Sequence, residues 1–271
     1  MTNMIDTLKR REFLKTATLA GAAVAGGLIN ADIASAAAAA RPVPYEVNGR
    51  KFEGIIVYDD SATTKRPVIF MQPDWNGVSA ETIALARTVA GTDYVVLMAD
   101  MFGSGWGAKP RPRPELAAAV KTLHGDRVFT IACGGTAYRT MLAEANKLGL
   151  VDVTKVGAIG YCAGGGFVLE QARDGENFKA IVVFHVTNPN PSVPGTLTNI
   201  KGRVLAIHGS ADPVTPKPMM DAFQEELTKA KVDWQVMMLG GAVHSFCLPK
   251  DSPRHCRMAD TLMRNFFAET L

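Results

Sequence analysis

Short apolar runs alternate along the chain with longer segments in which apolar residues recur at helical spacing. Seven runs are almost continuously hydrophobic, as expected for strands buried on both faces of a sheet: GIIVYD, RPVIFMQ, YVVLMAD, KVGAIGY, KAIVVFHV, RVLAIHG and WQVMML. Helices are predicted at 79–90, 126–148, 164–173, 217–231 and 255–268. This alternation predicts an α/β fold, with a mostly parallel sheet flanked by helices on both faces.

Two irregular segments interrupt the pattern, and both are too rich in Pro and Gly for regular structure. Residues 103–114 read GSGWGAKPRPRP, and residues 187–196 read TNPNPSVPGT. Each segment follows a predicted strand. Both are therefore expected at the carboxyl edge of the sheet, where open α/β sheets hold their functional sites.

The first forty residues have the layout of an export signal. Residues 10–15 read RREFLK, an uncharged stretch follows, and the small residues ASAAAAA then offer cleavage sites. The paired arginines resemble a twin-arginine signal, which directs folded proteins across a bacterial inner membrane; the alternative is a surface helix with a basic start. We expect residues 1–40 to be a signal peptide handled by the twin-arginine export machinery. Residues 41–271 would then form one soluble, periplasmic α/β domain.

Charge and cysteine usage narrow the function classes. Without residues 1–40, 25 basic residues face 23 acidic ones, which argues against nucleic-acid partners and against stable membrane association. Cysteines stand at positions 133, 162, 247 and 256 without C-x-x-C spacing, and no cluster has metal-ligand spacing, so neither a metal nor a cofactor is predicted. Cys247 and Cys256 could pair as a disulfide in an oxidising periplasm, which the sequence leaves open.

Cys162 stands out because it lies in a G-x-C-x-G turn between a predicted strand and a predicted helix. Small residues at 160 and 164 let strand and helix approach closely, which allows a strained turn that lifts a nucleophile above the sheet. The helix that follows is expected to lower the thiol pKa and to offer an oxyanion donor. The alternative is a buried core cysteine in a glycine-rich turn.

A nucleophile in this position requires a base and an orienting acid, which follow it in the order acid, then histidine. Asp212 lies in the turn after RVLAIHG, and His244 lies in the turn after WQVMML. Separately, each residue could be an ordinary turn residue. Together, at the carboxyl ends of neighbouring strands, they predict a Cys162, His244, Asp212 triad.

The remaining histidines have less suitable positions. His208 ends its own strand and is expected to pack against the sheet edge, while His124 and His255 occupy polar stretches beside helices. His185 ends the strand KAIVVFHV, so it points near the same edge and could help to shape the pocket.

Taken in order, the motifs GYCAGG, VVFH, HGSADP and AVHSF, with PDWNG and MADMFG upstream, resemble the dienelactone hydrolase family of α/β hydrolases. The likeness spans most of residues 45–268. It implies an α/β-hydrolase fold with the same triad. It also implies that a carboxylate at Asp74 controls thiol ionisation, and that the backbone N–H groups of Trp75 and Ala163 form the oxyanion hole.

Two departures from the family pattern concern the substrate. The usual glutamate is replaced by the shorter Asp74, and an arginine that binds the lactone carboxylate in well-known members is replaced by Leu248. Arg111 or Arg113 could supply a cation instead, unless they belong to a solvated loop. Dienelactone itself is therefore not the expected substrate.

The sequence thus predicts a hydrolase that cleaves an ester or lactone through a thioester intermediate. Two alternatives remain open. The first is a catalytically silent hydrolase fold that serves as a binding module. The second is a thiol-redox protein that uses Cys162, with Cys133 as the other candidate cysteine.

Overall fold

The computed structural model describes residues 38–194, 196–247 and 252–271, and these form an eight-stranded sheet with helices on both faces. The strands are β1 (Ala38–Val47), β2 (Arg50–Asp59), β3 (Arg66–Gln72), β4 (Val95–Met98), β5 (Val151–Tyr161), β6 (Ala180–Phe184), β7 (Arg203–Gly209) and β8 (Trp234–Leu239). The helices are α1 (Ala80–Ala90), α2 (Arg113–Gly125), α3 (Arg127–Lys147), α4 (Ala163–Arg173), α5 (Lys217–Lys229) and α6 (Pro253–Thr270). Short 3₁₀ turns lie at Trp106–Ala108 and Thr196–Asn199.

The strand order is β1-β2-β4-β3-β5-β6-β7-β8. The first two strands form an antiparallel hairpin, and β2 is also antiparallel to β4; every pair from β4 to β8 is parallel. The predicted α/β-hydrolase-type fold is therefore confirmed. Because β3 and β5 to β8 run in the same direction, the loops that follow them meet at one edge of the sheet.

Two apolar clusters cover the two faces of the sheet. One packs α3, α4 and α5 against the sheet, and the other packs α1 and α6 against the opposite face. Every residue of α4 is buried, so this helix shows no exposed polar stripe. Its position against β3 and β5 fixes the start of the helix, and with it the turn at Cys162.

All seven predicted strands and all five predicted helices are present, with small differences at their ends. One strand and one α-helix of the described ranges were not predicted. Strand β1 was hidden by the alanine-rich tract, although Ala38 to Val47 pairs along the whole of β2. Helix α2 begins inside the segment that was predicted to be irregular, because Pro114 occupies the first turn, where proline has no intrahelical bond to lose.

No helix in the described ranges is long and apolar enough to cross a membrane. The predicted signal peptide lies outside the described residues, apart from its last three positions, which belong to β1. Leu248, which stands where the family has arginine, also lies outside them.

Candidate active site

Cys162 occupies a strained turn between β5 and α4. Its φ of 55° and ψ of −117° are unusual for a residue with a side chain. A Cβ atom added to Gly160 would lie well under 3.0 Å from the backbone of α4, and one added to Gly164 would lie equally close to the carbonyl oxygens of Gln72 and Pro73. Only glycine fits at both positions, as the G-x-C-x-G spacing predicted.

Hydrogen bonds hold the backbone of this turn from several directions. The Cys162 N–H donates to the Phe184 carbonyl at 3.0 Å. The Cys162 carbonyl accepts from Gly165 N at 3.1 Å and from Thr187 N at 3.0 Å. The strained conformation is therefore fixed by the end of β6 and the loop after it, as expected where the surrounding structure overdetermines a costly backbone geometry.

The loops after β5, β7 and β8 bring Cys162, Asp212 and His244 together. His244 Nε2 lies 3.1 Å from Cys162 Sγ, and His244 Nδ1 lies 2.7 Å from Asp212 Oδ2. The other carboxylate oxygen of Asp212 accepts from Val214 N at 2.8 Å and Thr215 N at 3.2 Å. An ionised carboxylate only accepts hydrogen bonds, so His244 Nδ1 must carry the proton and Nε2 presents its lone pair to the thiol.

The Asp212 carboxylate is fully buried, yet its pKa lies below the ordinary value. Burial alone would raise the pKa of this carboxyl group. The hydrogen bond and charge of His244 outweigh that effect, together with the donors Val214 N and Thr215 N. Asp212 is therefore ionised at neutral pH and stabilises any positive charge that develops on His244.

The Cys162 thiol differs from the sequence prediction. It is only 7% exposed, and its pKa is raised to about 12, first by burial and then by the negative charges of Asp74 and Asp212. The Ala163 N–H at the start of α4 donates to the sulfur and lowers the pKa, but by less than burial raises it. The prediction of an exposed thiol with a lowered pKa was wrong, because desolvation outweighs the helix terminus.

Asp74 closes its own turn after β3. Its carboxylate accepts from the backbone N–H of Asn76 at 2.9 Å and from the Asn76 amide at 3.2 Å, and Gly77 N donates to its carbonyl at 3.0 Å. Among the described residues, no hydrogen bond joins this carboxylate to the thiol. Burial raises the pKa of Asp74 despite the two bonds from Asn76. Asp74 thus acts on Cys162 through its charge.

Trp106 braces this turn from the loop after β4. Its indole N–H donates to the Trp75 carbonyl at 2.9 Å. A Cβ atom added to Gly107 would lie well under 3.0 Å from the carbonyl oxygens of Asn76 and Val78, so the two loops are in tight contact. The Trp75 N–H itself has no hydrogen-bond partner within the described ranges, which leaves it available to a ligand.

Arg111 packs against Trp106 and is part of the same contact. Its guanidinium carbon lies 4.0 Å from the Trp106 ring centroid, its Nε donates to the Trp106 carbonyl at 3.1 Å, and it forms an ion pair with Glu115. Arg113 is exposed at the first position of α2. The structure therefore gives neither arginine a contact with the triad.

His185 lies beside the triad, as its strand position suggested. Its ring centroid is 4.8 Å from that of His244 in an edge-to-face arrangement, and its Nε2 lies 2.9 Å from Cys247 Sγ. Burial, and after it the neighbouring His244, lowers the pKa of His185 to about 3, so the ring is neutral. The contact with Cys247 was not predicted, since that cysteine was considered only for a disulfide.

The other histidines lie outside the triad. His208 is buried, with Nε2 2.8 Å from the Thr215 carbonyl, at the sheet edge as predicted. His255 Nδ1 lies 2.6 Å from Ser252 Oγ. His124 ends α2 instead of occupying a polar stretch beside a helix, and its Nε2 lies 3.3 Å from Thr187 Oγ1. No sequence signal pointed to the His124 contact, because α2 itself was missed.

The three other cysteines, like Cys162, are free thiols. Cys256 Sγ donates to the Cys247 carbonyl at 2.9 Å, so the disulfide that the sequence left open is not formed. Cys133 lies in α3 at 3.7 Å from the Asp100 carbonyl, and burial raises its pKa to about 12. These contacts give the thiol-redox alternative no paired cysteines.

Comparison with known proteins assigns the chain to a family. Residues 52–270 match the dienelactone hydrolase family. A curated relative, an uncharacterized protein of Caenorhabditis elegans, is 36% identical over an alignment of 114 residues; the match covers 38% of this chain and 65% of the relative's length.

Solved structures extend the comparison over most of the chain. The protein m3DLH is 32% identical with a TM-score of 0.78, and the match covers 86% of this chain and 98% of that one. A dienelactone hydrolase-like promiscuous phosphotriesterase from metagenomic libraries is 31% identical with a TM-score of 0.77 and the same coverage. A dienelactone hydrolase from Anabaena variabilis shares the fold at 18% identity, with a TM-score of 0.62 and 86% and 99% of the two chains covered. The chain belongs to the dienelactone hydrolase family of hydrolases.

Proposed function

We propose that this protein hydrolyses carboxylic esters or lactones through a thioester on Cys162. The observation that carries the proposal is the unbroken contact chain from Cys162 Sγ to His244 Nε2 at 3.1 Å and from His244 Nδ1 to Asp212 Oδ2 at 2.7 Å. A nucleophile, a base and an orienting carboxylate in hydrogen-bonding distance are what nucleophilic catalysis requires. The match to a family of hydrolases supports the same reaction class.

The raised thiol pKa determines how the nucleophile would be activated. At neutral pH Cys162 is a neutral thiol, so the sulfur attacks the carbonyl carbon as its proton passes to His244 Nε2. The resulting imidazolium gives that proton to the leaving alkoxide, which departs as an alcohol from an ester and stays attached as a hydroxyl group when a lactone ring opens. Water then attacks the thioester, with His244 as base, and releases the acid and the free thiol. Asp212 holds the ring and stabilises its charge in both steps.

The oxyanion would be stabilised by two backbone donors. Ala163 N–H already points at the Cys162 sulfur from the start of α4. Trp75 N–H is the second donor, in the turn that Asp74 and Trp106 hold. Fixed N–H donors of this kind are aimed at charge that appears only as the reaction proceeds. Asp74 would disfavour a resting thiolate through its negative charge, which keeps the thiol protonated until substrate arrives.

The substrate is expected to lack the carboxylate that dienelactone carries. Arg111 is bound to Trp106 and Glu115, and Arg113 is at an exposed helix start, so neither provides the cation. A neutral ester or lactone fits this arrangement better. Because a relative at 31% identity is described as a promiscuous phosphotriesterase, a neutral phosphotriester belongs in the same substrate panel.

The test is turnover of that panel by the wild-type protein and two variants. Cys162→Ala should abolish ester turnover, and mass spectrometry of the wild type during turnover should find an acyl adduct on Cys162. Cys256→Ala is the matched control, since this thiol donates a hydrogen bond to the Cys247 carbonyl and has none with a triad residue in the described ranges, and it should retain activity. Undiminished turnover in Cys162→Ala would contradict the proposal.

We also propose that residues 1–40 direct export by the twin-arginine route, and that residues 41–271 work as a single periplasmic domain. The support is the RREFLK stretch and the small-residue cleavage region. Changing Arg10 and Arg11 together to lysine should retain the uncleaved protein in the cytoplasm of a bacterial host. Unchanged export of that double variant would refute the route.

A further inference from the structure

We propose that Cys162, His185 and His244 form a binding site for Zn²⁺, and that its occupancy inhibits the enzyme. One ring nitrogen of each histidine and the Cys162 sulfur lie within 4.8 Å of one another. The linear sequence gave no metal-ligand spacing, because the three residues follow three different strands, β5, β6 and β8. Only the convergence of those loops creates the cluster.

The ligand set suits zinc. Thiolate sulfur and neutral imidazole are its preferred ligands, at about 2.3 Å for sulfur and about 2.1 Å for nitrogen. Ligand atoms around a tetrahedral ion are then roughly 3.5 Å apart. The Cys162 and His244 atoms are already 3.1 Å apart, and the widest separation in the cluster is 4.8 Å. Binding thus requires small side-chain movements of about 1 Å, with water as the fourth ligand.

His185 is the residue that distinguishes this site from any cysteine and histidine pair. It is 2% exposed, and its Nδ1 has no hydrogen-bond partner of acceptable geometry among the described residues. A buried polar atom without a partner is uncommon and calls for a bound water or ion. The opposite nitrogen, Nε2, contacts Cys247 Sγ at 2.9 Å, which holds the ring in place.

The surrounding groups complete the arrangement. Histidines that bind a metal usually donate their other N–H to a carboxylate or another acceptor, which fixes the tautomer. His244 makes this contact with Asp212 at 2.7 Å, and His185 makes the corresponding one with Cys247 Sγ, 2.9 Å away, in the tautomer that carries the proton on Nε2. Both rings therefore have one nitrogen engaged and one left for an ion. The His244 side chain is 16% exposed, which gives the ion a route from solvent.

Zinc binding would displace the Cys162 proton to solvent and form a sulfur–zinc bond. The same ion would occupy the His244 lone pair that the proposed mechanism needs, so nucleophile and base would be blocked together. Inhibition rests on the proposed hydrolysis. Binding does not, so the two ideas can fail separately.

The first experiment measures Zn²⁺ binding to the purified protein by equilibrium dialysis, without any substrate. One ion per chain is expected, with no binding in Cys162→Ala and at least about tenfold weaker binding in His185→Gln, since even the loss of an outer-shell partner costs about tenfold or more. His255→Gln is the matched control. This histidine also has a cysteine beside it, Cys256, but it lies outside the proposed zinc cluster and its Nδ1 contacts Ser252. The proposed site would be overturned if the wild type bound no Zn²⁺. It would also be overturned if Zn²⁺ binding were lost in His255→Gln and kept in His185→Gln.

A second experiment needs no variant of the buried His185. X-ray absorption of the zinc-loaded wild-type protein should show one sulfur near 2.3 Å and two imidazole nitrogens near 2.1 Å, with these values as approximate expectations. A shell with one imidazole, or with a second sulfur in its place, would overturn the ligand set. Where an ester substrate is found, Zn²⁺ should inhibit its hydrolysis and EDTA should restore it; full activity of the zinc-loaded protein would refute the inhibitory role.

Discussion

The indole N–H of Trp106 donates a 2.9 Å hydrogen bond to the backbone carbonyl of Trp75. That carbonyl belongs to the same peptide group as Asn76 N–H, which is held from its other end by the Asp74 carboxylate at 2.9 Å. One peptide is thus fixed at both ends, next to the N–H that we assign to the oxyanion hole. Preorganised donors are effective because they need no reorientation during the reaction.

Trp106→Phe should lower kcat by about threefold to tenfold, which corresponds to one neutral hydrogen bond. The variant keeps an aromatic ring against Phe102 and under Arg111 but cannot brace Trp75. KM should change little, because the brace acts mainly on charge that develops after binding. Trp234→Phe is the matched control, since its indole N–H contacts Thr228 and Trp234 itself starts β8, at the end of the strand opposite the loop that carries His244. If kcat fell equally in both variants, the cause would be a general loss of stability and not the lost hydrogen bond to Trp75.

Close packing at the Cys162 turn makes a second prediction. Gly164→Ala would place a methyl group well under 3.0 Å from the Gln72 and Pro73 carbonyls, so strand and helix must separate. We expect a loss of about 1–3 kcal/mol in the free energy of unfolding, the usual range for overpacking, together with a large loss of turnover. Gly125→Ala is the control, because nothing lies within 4 Å of its added Cβ. Denaturant unfolding of the two variants tests this prediction. A Gly164→Ala variant with the wild-type free energy of unfolding would refute the packing argument.

A buried ion-pair network supports the same turn from the opposite end of α4. Arg173 is fully buried and pairs with Glu170 at 2.8 Å, and Glu170 also accepts from Arg127 at 2.7 Å and from Ser192 Oγ at 3.1 Å. Burial would raise the Glu170 pKa, but the two arginines lower it, so the carboxyl group is ionised. Arg173 further donates to the Pro189 carbonyl, which ties the irregular loop after β6 to the helix.

Arg173→Met should therefore lower the free energy of unfolding by about 3 kcal/mol, near the lower end for a broken buried pair, because Arg127 remains. Lys217→Met removes an exposed pair with Asp221 and should cost less than about 0.5 kcal/mol. Thermal or denaturant unfolding of both proteins tests the contrast. Similar small losses would mean that the Arg173 network contributes little to stability.

The sequence was sufficient for those parts of the site that depend on local signals. Cys162, Asp212 and His244 each follow an apolar strand, and parallel strands must bring their carboxyl ends together. The brace by Trp106 could not be predicted, because it depends on how two Pro- and Gly-rich loops fold against each other. The thiol pKa was predicted with the wrong sign, since helix position is visible in sequence and burial is not.

The pairing of His185 with Cys247 shows the same limit of local reasoning. Each residue has a plausible separate role in its own segment, as a pocket histidine and as a disulfide candidate. Their 2.9 Å contact arises only when the loops after β6 and β8 converge. Side-chain contacts between loops depend on tertiary structure, whereas the strands that position those loops depend on periodic patterns that the chain displays directly.

Asp212 links activity to stability in acid, and the sign of the effect follows from its pKa. The folded-state pKa lies below the ordinary value of 3.8, because His244 and two backbone N–H groups outweigh the effect of burial. The stabilisation by this carboxylate is complete above that ordinary value and is lost as the pH falls through the folded pKa. Asp212→Asn should therefore be less stable at neutral pH, by about 1.5–3 kcal/mol for charged hydrogen bonds, and should lose less stability on acidification below pH 4.

The same variant should lose turnover on the order of 10⁴-fold, because an amide no longer enforces the His244 tautomer that accepts the thiol proton. Asp221→Asn is the control, because it alters an exposed ion pair with Lys217. It should change neither the turnover nor the free energy of unfolding appreciably. Unfolding curves collected between pH 2 and pH 7, with kcat at neutral pH, distinguish the two roles. A variant that keeps the wild-type acid dependence would show that other carboxyl groups cause it. A variant that keeps wild-type kcat would remove Asp212 from the triad, whatever its contribution to stability.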